Sequence, residues 1–315
     1  MTDNDTLIIG TRHSKLAIWQ AEHVKELLLQ RYPWLHVVLR FVTTTGDRVQ
    51  DKPLSQIGGK GLFTRELELA MEQGVIDAAV HSLKDLPYKL PEGFTLAAIP
   101  SRGEPEDVLV SRNGCTLEEL PSGACVGTSS LRRKAQLLAL RPDLTVLPLR
   151  GNVDTRLRKL DEGQYEAIIL AEAGLIRLGR KARITQVLQA DEFVPAAGQG
   201  ALAVEICSTN KKALKLLAPL HDPVTSVETG AERSFSASIG GSCQIPAGCF
   251  AKLGRNGLQL SAIMASPDGR KLIRRSLQGD FLKGNELGKQ LAGDILKAGG
   301  REILRDLERA KEETS

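Results

Sequence analysis

Three segments of the chain carry serine, threonine and arginine directly after a short apolar run. They are Gly10-Thr11-Arg12-His13-Ser14, Gly127-Thr128-Ser129-Ser130-Leu131-Arg132-Arg133 and Leu149-Arg150-Gly151-Asn152-Val153-Asp154-Thr155-Arg156. A strand that ends at the N-terminus of a helix leaves backbone N–H groups free to bind an anion. Hydroxyl and guanidinium groups add further donors for carboxylates or phosphates. Three such segments with arginine predict a cleft for a ligand that carries several negative groups.

A fourth segment, Val80-His81-Ser82-Leu83-Lys84-Asp85, brings an imidazole, a hydroxyl, an ammonium group and a carboxylate together after an apolar run. Asp85 could serve there as an acid–base group, with its pKa set by burial and by Lys84. Taken alone, the segment favours a plainer interpretation, a solvated loop with a Lys–Asp neighbour pair. His81 alone indicates a structural residue that makes hydrogen bonds.

Two further loops contain single reactive groups. The glycine-rich segment Gln56–Thr64 contains Lys60 but lacks the Gly-x-x-x-x-Gly-Lys-Ser/Thr spacing of a nucleotide-binding loop. We therefore expect residues 48–62 to form a lid that carries one cation. Cys243 lies in the small-residue turn Gly240–Pro246, where an exposed thiol can be nucleophilic or modified. Most lone cysteines are instead buried and inert, and a protease would need a paired histidine that the sequence does not identify.

The elements that must position these groups alternate between strand-like and helix-like patterns. The expected strands of the first part are Leu7–Gly10, His36–Thr43, Ala78–His81 and Phe94–Ile99, and the expected helices are Ser14–Arg31 and Thr64–Gln73. The order then restarts with Ala124–Gly127, Ser130–Leu140, Thr145–Leu149, Val153–Glu162 and Ala167–Ala171. This alternation predicts an α/β protein with two doubly wound, mostly parallel sheets.

The pattern changes after Pro223. A helix near Ser226–Ser236, three short alternating runs and a closing helix at Leu282–Ala298 predict a small α+β domain with an antiparallel sheet. A chain of 315 residues is too long for one core. We expect three domains: residues 1–100 with 201–218, residues 101–200, and residues 219–315.

Positive charge is concentrated in one stretch. From Thr128 to Leu160, eight Lys and Arg residues stand against two Asp residues, whereas the whole chain has a net charge of +4. The stretch indicates an anionic partner, but nucleic acid is a weak candidate because aromatic residues make up only 4% of the chain. The polar N-terminus, the lack of a long apolar run and five cysteines without metal-binding spacing predict a cytoplasmic protein with neither a metal nor a membrane partner.

Six motifs, in this order, resemble the porphobilinogen deaminase (hydroxymethylbilane synthase) family from Leu7 to about Gly248. They are Gly10-Thr11-Arg12-x-Ser14-x-Leu16-Ala17, Gly61-Leu62-Phe63-Thr64-x-Glu66-Leu67-Glu68, His81-Ser82-Leu83-Lys84-Asp85, Gly127-Thr128-Ser129-Ser130-x-Arg132-Arg133, Leu149-Arg150-Gly151-Asn152-Val153-x-Thr155-Arg156 and Cys243-Gln244-x-Pro246. The resemblance implies a three-domain fold whose first two domains are related to hinged solute-binding proteins.

The resemblance also implies a monomeric transferase of heme and other tetrapyrrole biosynthesis. Such an enzyme condenses four porphobilinogen molecules head to tail into hydroxymethylbilane and releases four ammonia molecules. It implies a dipyrromethane primer on a thioether to Cys243, no metal, no nucleotide, and Asp85 as the group that protonates the leaving amine and then stabilises the azafulvenium cation. The residues that the resemblance places at the carboxylates of primer and substrate are Arg12, Ser14, Ser82, Lys84, Thr128, Ser129, Ser130, Arg132, Arg133, Arg150, Arg156, Arg177 and Gln199, with Lys60 on the lid.

Two positions depart from the family pattern. His13 stands where a small or uncharged residue is commoner, and Ser242 stands where glycine more often precedes the cysteine. Cys249 is therefore the alternative attachment site, although the Gln-x-Pro after Cys243 keeps the family spacing. The alternative function is a non-catalytic binding protein for a small polyanion, and only the enzyme would carry the mass of two extra pyrrole units.

Overall fold

The computed structural model describes residues 6–48, 64–241 and 245–312. The chain divides into two compact units, Met1–Gly103 with Gly200–Ser226, and Glu104–Gln199 with Val227–Ser315. The second unit contains both a mixed sheet and a three-stranded antiparallel sheet. The expected division into three domains stays a prediction.

The first unit is built on a five-stranded sheet. Its strands are β1 (Thr6–Thr11), β2 (His36–Phe41), β3 (Ala78–Ser82), β4 (Phe94–Ala98) and β10 (Leu202–Cys207), and its helices are α1 (Lys15–Arg31), α2 (Thr45–Arg48), α3 (Arg65–Glu72) and α7 (Lys211–Leu217). The strand order is β2-β1-β3-β10-β4. β1 pairs in parallel with β2 and β3, whereas β10 pairs antiparallel with β3 and β4. Leu7 and Ile9 of β1 share one buried core with Val24 and Leu28 of α1.

The mixed sheet of the second unit repeats this arrangement. Its strands are β5 (Asp107–Ser111), β6 (Cys125–Gly127), β7 (Thr145–Leu147), β8 (Ala167–Ala171) and β9 (Gln186–Leu188), and its helices are α4 (Leu131–Leu140), α5 (Val153–Asp161) and α6 (Glu172–Arg177). The strand order is β7-β6-β8-β5-β9. β6 pairs in parallel with β7 and β8, whereas β5 pairs antiparallel with β8 and β9. In each sheet, therefore, four strands run one way and one runs against them.

A glycine stands at the same place in both sheets, at the carboxyl end of the central parallel strand. A Cβ on Gly10 would lie 2.3 Å from Cδ1 of Ile76, and a Cβ on Gly127 would lie 2.9 Å from Cδ1 of Tyr165. Close packing thus requires glycine at both positions. The chain can then turn directly into the hydroxyl-bearing segments that the sequence singled out.

The C-terminal part packs helices against an antiparallel sheet. It contains α8 (Pro223–Ser238), β11 (Ala247–Gly254), β12 (Gly257–Ala265), β13 (Leu272–Gly279), α9 (Gly284–Ile295) and α10 (Arg301–Glu312). β12 pairs antiparallel with both β11 and β13. Phe235, Leu260 and Leu291 lie in the core between these layers. The antiparallel sheet that the sequence predicted is confirmed.

Some expectations need correction. Thr64 was expected to start a helix, but α3 begins one residue later, and the side chain of Thr64 makes no capping hydrogen bond. The closing helix is interrupted at Leu296–Gly300, where Gly299 has a φ of 114°, and α10 continues beyond the predicted end. β5 and β9 were not predicted, and the sheets are mixed because β5 and β10 run against their neighbours. Within the described part of the chain, no helix is both long enough and apolar enough to cross a membrane.

Candidate active site

In the first unit, predicted site residues gather at the carboxyl ends of β1 and β3, which are neighbours in the sheet. Ser14 caps α1, and its Oγ accepts a hydrogen bond of 3.3 Å from the backbone N–H of Ala17. The hydroxyl of Thr11 donates to the carbonyl of Ala17 at 2.9 Å. These bonds fix the loop that contains the half-buried Arg12. Ligands of open α/β sheets bind at this end of the strands.

Asp85 lies on a short, firmly anchored turn. Leu83–Asp85 forms a single 3-10 turn directly after β3. Leu83 and Leu86 are buried together with Ala201 and Ala203, and the N–H of Leu83 donates to the carbonyl of Ala201 at 3.0 Å. The side chain of Asp85 is exposed between these anchors. A carboxyl group is thus held on a rigid support where a ligand can reach it.

Ser82 and Lys84, which were predicted to act beside Asp85, lie on the end of β3 and on the same turn. Ser82 ends β3, and its Oγ accepts a hydrogen bond of 2.8 Å from Nε2 of Gln20 on α1. Lys84 is half-buried within the turn. The described part of the first unit therefore brings together Arg12, Ser14, Ser82, Lys84 and Asp85 on two adjacent strand ends.

In the second unit, the hydroxyl-rich segment after β6 forms the start of α4. Ser130 caps the helix, and its Oγ accepts from the N–H of Arg133 at 3.4 Å. Oγ1 of the buried Thr128 accepts from the N–H of Ser130 at 3.2 Å. The exposed Ser129 donates its hydroxyl to the carbonyl of Leu149 at 2.9 Å, which ties this loop to the one after β7. The predicted strand-to-helix junction is confirmed here.

Arg132 and Arg133 are both buried against one carboxylate, that of Asp107 on β5. Nε and Nη2 of Arg133 donate to Oδ1 of Asp107 at 3.0 and 2.7 Å, and Nη1 of Arg132 lies 2.7 Å from Oδ2. The two guanidinium groups hold the pKa of Asp107 well below its usual range, despite full burial of the carboxyl group. The trio keeps one net positive charge. Nothing in the sequence around Asp107 singled this residue out.

Three further arginines of the predicted site, Arg150, Arg156 and Arg177, follow β7 and β8. Nη1 of Arg150 is buried without a hydrogen-bond partner among the described residues, and Nε of Arg156 donates to the carbonyl of Gly151 at 2.8 Å. Burial lowers the pKa of Arg177 to about 10, and the nearby Glu104 partly offsets this effect. A buried donor without a partner costs free energy that a bound carboxylate would recover. These arginines therefore favour an anionic ligand at this end of the sheet.

Gln199 was predicted to bind a ligand, but its side chain is buried and donates to groups of the protein. It is almost fully buried, and its Nε2 donates to Oδ1 of Asp107 at 3.0 Å and to the carbonyl of Pro105 at 2.7 Å. Its amide thus braces the carboxylate that holds the arginine pair. The predicted contact of Gln199 with a ligand stays a prediction.

Two predicted residues, Cys243 and the lid lysine Lys60, lie outside the described residues. The alternative attachment residue, Cys249, is fully buried in the core beside β12. A buried thiol cannot reach a ligand without unpacking that core, so the structure disfavours Cys249. Among the described residues, no cluster of three or more His, Cys, Asp and Glu side chains is arranged to hold a metal ion.

Comparisons with known proteins agree with this arrangement. Residues 7–215 match the family model "Porphobilinogen deaminase, dipyromethane cofactor binding domain", and residues 227–297 match "Porphobilinogen deaminase, C-terminal domain". The chain is 50% identical to the porphobilinogen deaminase of Thiobacillus denitrificans, over 95% of this chain and 98% of the relative. It is 52% identical to the porphobilinogen deaminase of a Roseiflexus species over the same shares of the two chains.

Among solved structures, the methionine-binding protein MetQ aligns with 69% of this chain and 90% of its own, with 14% identity and a TM-score of 0.44. The family models together cover most of the described residues, and the relatives match over nearly their whole length. The chain therefore belongs to the porphobilinogen deaminase family.

Proposed function

We propose that this protein condenses four porphobilinogen molecules head to tail into hydroxymethylbilane, with release of four ammonia molecules, on a dipyrromethane primer bound through Cys243. The observation that carries this proposal is the row of buried and half-buried arginines at the strand ends of the second unit. In particular, Nη1 of Arg150 lacks a partner among the described residues. A pyrrole that bears an acetate and a propionate supplies the carboxylates that such groups require.

The described residues fit a dipyrromethane. Each ring has two carboxylates, and charge-assisted hydrogen bonds in a partly desolvated site contribute roughly 1.5–3 kcal/mol each. The donors that would hold these carboxylates in the second unit are the hydroxyls before α4 and the guanidinium groups of five arginines, namely Thr128, Ser129, Ser130, Arg132, Arg133, Arg150, Arg156 and Arg177. When bound, the primer supplies the free α-carbon to which the first substrate is joined.

Asp85 is proposed as the catalytic acid. An exposed carboxyl group on a rigid turn can approach the aminomethyl group of a substrate and donate a proton to the departing nitrogen. The carbon–nitrogen bond then breaks with its electron pair on nitrogen, and ammonia leaves. The resulting carboxylate stabilises the positive charge on the substrate until a new carbon–carbon bond forms and the attacked ring loses its α-proton. Positioned acids and bases of this kind contribute typically 10²–10⁴-fold in rate.

Arg12, Ser14 and Lys84 are proposed to bind the carboxylates of the incoming substrate in the first unit. Arg12 and Ser14 follow β1, Lys84 follows β3, and these two strands are paired. A substrate bound there would present its aminomethyl group near Asp85, which lies on the same turn as Lys84. Such binding aligns the reacting group with the acid, and alignment alone can supply several kcal/mol of the barrier.

Substitution of Asp85 by asparagine tests this assignment. Asp85→Asn keeps the shape of the side chain but removes the proton donor, so kcat should fall by at least about 10²-fold while the melting temperature stays unchanged. Glu92→Gln, an exposed carboxyl group of the same unit, is the control and should retain full activity. Turnover of Asp85→Asn within tenfold of the unaltered protein would exclude Asp85 as the acid.

The protein is further proposed to work as a cytoplasmic monomer. Among the described residues, Cys115, Cys125 and Cys207 are free thiols, as is usual for proteins in a reducing compartment.

A further inference from the structure

Three buried titratable side chains of the first unit have no part in the proposed chemistry. His81 is on β3, Glu205 on β10 and Glu68 on α3, and their exposed fractions are 6%, 0% and 9%. Nε2 of His81 lies 2.9 Å from Oε2 of Glu205. In the strand pairing, His81 stands opposite Ala203 and Glu205 opposite Ala79, so the two side chains are diagonal neighbours on one face of the sheet.

Several polar atoms of these three side chains lack a hydrogen-bond partner among the described residues. Among the described residues, both carboxylate oxygens of Glu205, Oε1 of Glu68 and Nε2 of His81 are buried without a partner at hydrogen-bond geometry. The contact between His81 and Glu205 is therefore close in distance but not aligned as a full hydrogen bond. Unpaired buried polar groups are costly, so a native protein that retains three of them together gains something in return.

Burial of two carboxyl groups beside one imidazole favours a form of the cluster in which a carboxyl group holds a proton. Two buried carboxylates beside a neutral imidazole would leave two uncompensated negative charges, which is costly in a low-dielectric interior. Burial raises the pKa of Glu68, and the charges of Glu205 and Glu72 raise it further, whereas the Thr64 hydroxyl and His81 lower it. Burial also raises the pKa of the neighbouring Cys207 thiol, with contributions from Glu72 and Glu205. Glu68 thus keeps its proton to a higher pH than an exposed glutamate does.

The position of the cluster connects it to the turn. His81 and Ser82 form the last rungs between β3 and β10, opposite Ala203 and Leu202. The next backbone bond, from Leu83 to Ala201, already belongs to the turn that carries Asp85. The contact between His81 and Glu205 therefore joins β3 to β10 at the point where the turn begins.

We propose that Glu68, His81 and Glu205 form a buried proton-sharing triad, in which His81 and Glu205 are positioning residues for Asp85. This inference rests on the proposed role of Asp85. Protonated Glu68 leaves one negative charge, on Glu205, for His81 to pair with. Ionisation of Glu68 adds a second negative charge, which repels Glu205 and competes with it for His81, so the His81–Glu205 contact loosens.

The test uses the complete, primer-loaded enzyme. Glu205→Gln removes the charge that His81 faces and should lower kcat at least about tenfold with KM within about threefold, since misplacement of a catalytic group by about 1 Å can cost 10²-fold in rate. Glu68→Gln mimics the protonated carboxyl group and should keep kcat near neutral pH while it removes one titration from the pH profile of kcat. Glu22→Gln, an exposed carboxyl group on α1, is the matched control.

The contact between His81 and Glu205 can also be followed without turnover, by the NMR signals of the His81 ring. In ¹⁵N-histidine-labelled protein, the ring nitrogens of His81, assigned by comparison with His81→Asn, should shift in Glu205→Gln and not in Glu22→Gln. If Glu205→Gln fails to fold, as judged by circular dichroism, Glu68→Gln decides the question through its pH profile. Wild-type kcat, pH profile and His81 signals in Glu205→Gln, or a wild-type pH profile in Glu68→Gln, would overturn the triad. An active Asp85→Asn would instead overturn the proposed catalytic acid, so the two failures are distinguishable.

Discussion

At the scale of single residues, Asp107 holds two buried arginines that we propose as donors to the ligand. One carboxylate receives Arg133 through two nitrogens and Arg132 through one, and the amide of Gln199 completes its contacts. Two cations on one anion keep a surplus of positive charge in the interior. A bound carboxylate would neutralise that surplus, so the same residues that stabilise the second unit also favour an anionic ligand.

Replacement of Asp107 should expose this dual role. Asp107→Asn leaves two buried guanidinium groups without a counter-charge, so the free energy of unfolding should fall by about 3–5 kcal/mol at pH 7. The pKa of Asp107 is lowered in the folded state, so its contribution is complete above the unfolded value of about 4 and decreases as the pH falls through the folded value. Urea unfolding at several pH values measures this difference.

Asp143 offers the matched control, because it forms an ion pair of 2.7 Å with Arg141 at the surface. Asp143→Asn should leave the free energy of unfolding nearly unchanged, because an exposed ion pair contributes little to stability. Equal effects of the two substitutions at pH 7 would show that Asp107 does not carry the buried arginines.

The sequence predicted the residue types of the site better than their partners. The hydroxyl and arginine segments after β1, β6 and β7 were expected at strand ends, and the structure places them there. Asp107, Glu205 and Glu68 could not be found in this way, because each acts through a neighbour that is distant in the chain. Arg132 shows the same limit, since its partners Asp107 and Val194 are far from it in sequence.

At the scale of elements, α8 and α9 depend on small residues for their contact. A Cβ on Gly288 would lie 2.1 Å from the carbonyl oxygen of Ala231, and Ser234 donates to the carbonyl of Asn285 at 2.8 Å. The two helix backbones therefore approach too closely for any side chain at position 288. The periodicity of apolar residues predicted a helix here, but it carries no information about which face another backbone will touch.

Substitution of two glycines of α9 by alanine should have opposite effects on the free energy of unfolding. Gly288→Ala should lower the free energy of unfolding by about 1–3 kcal/mol, because the helix must move away from α8. Gly293→Ala places a methyl group in open space and should stabilise the protein by up to about 1 kcal/mol through its higher helix propensity. Thermal or urea unfolding of both variants measures the difference, and a stabilising Gly288→Ala would contradict the described packing.

At the scale of the whole chain, two sheets share one strand order although they are assembled from different parts of the sequence. β10 is the first strand after the chain returns to the first unit, and β5 is the first strand after it enters the second. Each runs against its neighbours. Local periodicity predicted the α/β alternation, but the direction of β5 and β10 is set by long-range pairing. β5 also begins with the charged Asp107, which obscured its apolar pattern.

The proposed function requires a covalent dipyrromethane on Cys243. The intact mass of the purified protein shows whether this group is present. We expect a mass that exceeds the 315-residue chain by two pyrrole units, the same excess in Cys249→Ser because that thiol is buried in the core, and the bare mass in Cys243→Ser. An active protein with the bare mass, or a Cys243→Ser variant that keeps the excess, would contradict the account.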